Sequence, residues 1–178
     1  METKPPIPAD HSAYIGQVLM AMAECTSAGL SKFSGWMLVG YAAILGALLA
    51  NLDSASKFLA SGTLSRLALL FSVVVLLNLL QRYSAAVVAS SAEVGKKVKE
   101  QPTPQNMDIV VFMTELEAAT LWPARFMVRR SNRKLLAGDL ASGGRLLSTF
   151  AQIEAWFVFA QVLVSVAAIL VLACGLRG

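Results

Sequence analysis

The side chains able to do chemistry are few and scattered through the 178 residues. The single histidine, His11, has no cysteine or carboxylate cluster at ligand spacing beside it. Cys25 and Cys174 lie far apart, with no CxxC and no second pair, so neither a disulfide framework nor a metal site is expected. Glu115 and Glu117 are two residues apart. On a helix they point about 200° apart and cannot share one proton-transfer site. Glu24 and Glu154 border apolar stretches, where each reads as a solvated cap. HExxH, GxSxG, Walker A and GxGxxG patterns are absent, and Gly143-Gly144 alone reads as a turn or a helix start. No nucleophile, base and orienting group can be assembled from these residues. The expectation is a protein that is not an enzyme and uses no cofactor and no metal.

Three other patterns remain. Residues 125–134 read RFMVRRSNRK, with Arg125, Arg129, Arg130, Arg133 and Lys134 in ten positions. Polar side chains punctuate apolar stretches at Asn51, Ser72, Asn78, Gln161 and Ser165. Ala42, Gly46 and Ala50 form a small-residue ladder at a spacing of four, which lets another helix approach closely.

The elements that carry these patterns follow from composition. Charged residues make up 15% of the chain, against about 25% in soluble domains, and mean hydropathy is +0.63. An integral membrane protein follows, because the apolar residues fall in long uncharged runs. Residues 35–52 and 155–175 hold no charge, and at about 1.5 Å per residue each can cross a hydrocarbon core of roughly 30 Å. Trp36 and Trp156 stand at their N-terminal edges, as the aromatic preference for the interface predicts. The run 67–80 is shorter, but Arg66 and Arg82 bracket it and can snorkel to water. It is read as the first turns of one helix over about 64–98, spanning to about 82. The link 53–65 closes a hairpin.

Residues 11–33 carry Ile15, Val18, Leu19, Met22, Thr26, Leu30 and Phe33 at helical spacing, which predicts an amphipathic helix leading into the first span. Pro102 and Pro104 end the preceding helix. Asp108 caps a new one from Ile109. A further helix over 120–137 is expected, with Thr120 as its cap, Pro123 in its first turn and Gly138 as its stop. Projected at about 100° per residue, Leu121, Ala124, Met127, Val128 and Leu135 share one arc, and the five basic residues fill the other. Phe126 falls among the basic residues.

The fold class is therefore all-α. It comprises an N-terminal amphipathic helix (1–34), a transmembrane hairpin (35–82), a cytoplasmic helical segment (83–152) and a third transmembrane helix (153–178). Ten of the fifteen lysines and arginines lie in 82–152, which places that segment and the N-terminus in the cytoplasm. The expected location is a bacterial inner membrane. The basic helix is expected to meet anionic headgroups, at about 1 kcal/mol per basic residue, or a cytoplasmic protein partner. Nucleic acid is not expected as a partner, since no RNP pattern or aromatic interleaving accompanies the charge. Asn78, Gln161 and Ser165 read as interhelical or pore-lining polar groups. In layout the chain resembles small bacterial multi-pass effectors that oligomerise and perturb membranes. The leading expectation is a homo-oligomeric, channel-like protein with a cytoplasmic docking part. The alternative is a scaffold subunit without a pore.

Overall fold

A computed structural model describes residues 9–60, 62–100, 108–120 and 124–176. The architecture is all-helical: α1 (Ala9–Ala50), α2 (Leu52–Phe58), α3 (Thr63–Glu100), α4 (Ile109–Ala119), α5 (Ala124–Leu136) and α6 (Ser142–Gly175). Three of these, α1, α3 and α6, are long and apolar enough to cross a membrane. Pro102, Pro104, Leu121 and Pro123 lie outside the described residues.

The spacing of buried positions explains why the long helices stay in contact. Along α6 the inward residues are Leu147, Ala151, Glu154, Val158, Gln161 and Ala168. Steps of four and three alternate, the repeat that keeps one seam of a helix against its neighbours. On α3 the seam holds Leu67, Val74, Asn78, Gln81, Val88 and Ala92. The outward faces are apolar as well, with Leu69, Leu76, Leu163 and Ile169 exposed. A helix apolar on every side suits a lipid surround.

The chain forms two compact units. One comprises Met1–Ser27 and Ala86–Gln152. Its core is Ala23, Val88, Leu147, Phe150 and Ala151, flanked by Met20, Val87, Met127 and Leu146. α1 and α6 approach closely here, because a Cβ on Gly144 would fall on the backbone of Gly16. Asp108 caps α4 by accepting from the Val110 and Val111 amides at 2.8 and 3.3 Å. Thr120, expected to open the next helix, instead closes α4, its amide bonding to the Glu117 carbonyl at 3.3 Å. Its hydroxyl, the group a cap would offer to the next helix, donates back to the Leu116 carbonyl at 2.8 Å, and α5 begins at Ala124. Gly138, at φ +93°, ends α5 in the left-handed conformation that glycine accepts without strain.

The other unit comprises Ala28–Ala85 and Ile153–Gly178. The segment after α2 returns to the end of α6, where the Ala60 amide donates to the Gly175 carbonyl at 2.8 Å. That bond satisfies one of the carbonyls a helix end leaves without a partner. Gly175 also has no room for a side chain, since a Cβ would meet Thr63 at 2.6 Å.

Candidate functional site: a buried polar layer

The unit built from Ala28–Ala85 and Ile153–Gly178 encloses polar side chains where an apolar core would be expected. Three helices supply them. Ser34 sits at the centre: its Oγ accepts from Asn78 Nδ2 at 2.7 Å and donates to Gln161 Oε1 at 2.7 Å. One hydroxyl therefore ties α1, α3 and α6 together. One turn away, Gln81 Nε2 donates to Ser31 Oγ at 2.9 Å and, more weakly, to Glu154 Oε2 at 3.4 Å. Ser34, Gln81, Glu154 and Gln161 are each 0% exposed.

The layer has direction. Gln161 lies seven residues beyond Glu154, about 10 Å along the axis of α6. The outer surface of this unit carries Trp156 and Trp36, both largely exposed, with the Lys32 ammonium 5.5 Å from the Trp36 ring centre. Tryptophan and snorkelling lysine are side chains of a membrane–water interface. Toward the far side an apolar cleft follows, lined by Tyr41, Leu45, Leu67, Ser165, Ala168 and Leu172. Tyr41 stacks on Phe71 at 5.5 Å beside it.

Lone polar groups in hydrocarbon cost several kcal/mol each, so membrane proteins close them on one another. Two expected polar residues bond locally: Asn51, just past the end of α1, and Ser72 of α3 donate back to the carbonyls of Ala47 and Ala68. Asn78 and Gln161 cross between helices instead. Gln161 Nε2 and Gln81 Oε1 have no hydrogen-bond partner among the described residues.

Several expected site residues fall elsewhere. Glu154 is not a solvated cap; α6 starts twelve residues earlier, at Ser142, and carries Glu154 on its inward seam. Ser165 is only partly buried and lines the apolar cleft. Ala42, Gly46 and Ala50 are exposed, and a Cβ on Gly46 would meet nothing within 4 Å. Among the described residues nothing comes close enough to Gly46 to use the gap its missing side chain leaves. In the other unit Arg125, Arg129, Arg130, Arg133 and Lys134 are exposed along α5, with Phe126 beside them, and Arg129 pairs with Glu117 at 3.5 Å. Among the described residues no group of three metal-ligating side chains occurs.

The residues that sequence reasoning missed are Ser31, Ser34, Gln81 and the burial of Glu154. For Glu154 a signal was present. The four-three spacing 147, 151, 154, 158, 161, 165 puts Glu154 and Gln161 on the seam of Leu147 and Val158. Searches against family models, curated proteins and solved structures return no match to this chain.

Proposed function

We propose that the chain is a non-enzymatic, homo-oligomeric membrane protein of the channel-like or membrane-perturbing type. In this reading it sits in a bacterial inner membrane with its N-terminus in the cytoplasm. The unit holding α4 and α5 is its cytoplasmic docking part. The observation that carries the proposal is the buried layer of Ser34, Asn78, Gln81, Glu154 and Gln161, with the half-buried Ser31 at its edge. Ionisable and amide side chains placed inside a membrane-spanning unit mark function more often than packing. The engagement of Asn78 and Gln161 within one protomer favours a path inside that protomer over one between copies. The exposed ladder Ala42, Gly46 and Ala50 is the face on which copies would meet.

Ion flux through liposomes containing the purified protein tests the proposal. Native protein conducts, and the Asn78→Leu, Gln161→Leu double variant loses that flux. Native protein that carries no current under any applied potential removes the channel reading.

A second reading is favoured by one observation: the Asn78–Ser34–Gln161 bonds close on themselves. A closed polar layer can serve only to fix helix register, as buried polar groups do in some coiled coils. The chain would then be a scaffold subunit. It would co-purify with a different protein at fixed stoichiometry, and the double variant would retain that partner.

A further inference from the structure

The unit of Met1–Ser27 and Ala86–Gln152 contains a cleft between α5 and the first turns of α6. Arg130 and Lys134, one turn apart on α5, line it from one side, and Arg145 of α6 from the other. Its apolar lining includes Met127 and Leu146. Arg145 Nη1 is held by Asp139 Oδ2 at 2.8 Å, which fixes the guanidinium and leaves its other N–H groups to donate. Among the described residues neither Arg130 nor Lys134 has a carboxylate partner. Three cations against one carboxylate leave two positive charges in excess around one cleft.

A second observation points to a ligand. Ser142 also lines this cleft, is 3% exposed, and its Oγ has no hydrogen-bond partner among the described residues. A buried hydroxyl without a partner costs about 1–3 kcal/mol, which a ligand oxygen would recover. Ser142 is the first residue of α6, so the amide end of a 34-residue helix, the end that favours anions, opens beside it.

We infer that this cleft binds a phosphomonoester group. The charge excess matches a doubly ionised phosphate. Guanidinium forks match its oxygens. Met127 and Leu146 offer an apolar lining for the carbon skeleton that carries the phosphate. The same chemistry is presented by the headgroup of a phosphatidic acid and by a soluble phosphate. This inference deepens the docking role assigned above, by naming what the unit binds, but requires no ion flux. Its failure and that of the channel reading therefore separate.

The test uses the full chain in detergent. Native mass spectrometry reads its binding of short-chain phosphatidic acid, with phosphatidylcholine of the same chain length as the neutral control. Calorimetric titration with inorganic phosphate is the soluble arm. The Arg130→Gln, Lys134→Gln pair weakens phosphatidic acid binding about tenfold or more. The Arg125→Gln, Arg133→Gln pair removes equal charge from α5 outside the cleft and changes binding less than about twofold. Ser142→Ala weakens binding about threefold with circular dichroism unchanged. Binding of phosphatidic acid alone assigns a lipid source, and binding of inorganic phosphate as well assigns a site for the free group. Equal loss in the two arginine-containing pairs, equal binding of phosphatidylcholine, or no binding of either phosphate probe overturns the inference.

Discussion

Replacing Ser34 with alanine removes one hydroxyl and strands two amides. Asn78 Nδ2 loses its acceptor and Gln161 Oε1 its donor, at positions 6% and 0% exposed. Interhelical hydrogen bonds in membranes average about 0.6 kcal/mol and reach about 1.7, because a chain unfolded in lipid also finds partners. Two such bonds, plus the burial of groups left unsatisfied, set the loss at about 1–3 kcal/mol. The sharper test is the combined change Ser34→Ala, Asn78→Leu, Gln161→Leu. Removing all three polar groups together leaves nothing stranded, and Leu has the branched shape of Asn and one side-chain heavy atom fewer than Gln. The triple variant should therefore lie within about 1 kcal/mol of native, and be more stable than Ser34→Ala alone. Reversible unfolding in mixed micelles, followed by circular dichroism, measures both. A Ser34→Ala loss below about 0.5 kcal/mol, or a triple variant less stable than the single one, refutes the coupling.

Further consequences concern close contacts, caps and outward faces. Gly144→Ala sets a methyl group against the backbone of Gly16, which cannot rotate away, and should cost about 2 kcal/mol or more; its neighbour Gly143 faces open space, so Gly143→Ala should be nearly neutral in the same unfolding assay. Asp108→Ala removes two amide contacts at the start of α4 and should cost about 1 kcal/mol, seen as faster hydrogen exchange of the Val110 and Val111 amides. Gly46→Leu should leave the fold of the protomer unchanged, because the position opens on empty space, and should reduce the oligomer mass read by native mass spectrometry. An unchanged oligomer takes the Ala42, Gly46 and Ala50 face out of the proposal.

Much of the fold was readable because the signals are local. Uncharged runs of bilayer length give the long helices, Asp108 gives the start of α4, and Gly138 gives the end of α5. The candidate site was harder to read, for tertiary reasons. Glu154 borders an uncharged run, so hydropathy alone puts it at a wet edge. Its burial depends on α6 continuing back to Ser142 and on Gln81 of α3 facing it. Ser34 is small and frequent in helices, and its role exists only because Asn78 and Gln161 arrive from 44 and 127 residues away. Thr120 reads as a cap for the following helix, but the choice between neighbouring helices rests on where its hydroxyl turns, and it turns back to the Leu116 carbonyl. The ladder of Ala42, Gly46 and Ala50 gave a spacing without a direction; the three-dimensional arrangement turns it outward.

The function proposed above requires the unit holding the polar layer to cross a bilayer, with the α2 link outside and residue 137 in the cytoplasm. Cysteine accessibility tests it most directly. In a background where Cys25 and Cys174 are serine, single cysteines are placed by Ser54→Cys in the link and by Ala137→Cys after α5. Intact spheroplasts are then treated with a membrane-impermeant maleimide. The account predicts labelling at position 54 in intact spheroplasts and at position 137 only after lysis. Labelling of both positions before lysis, or of 137 alone, contradicts it.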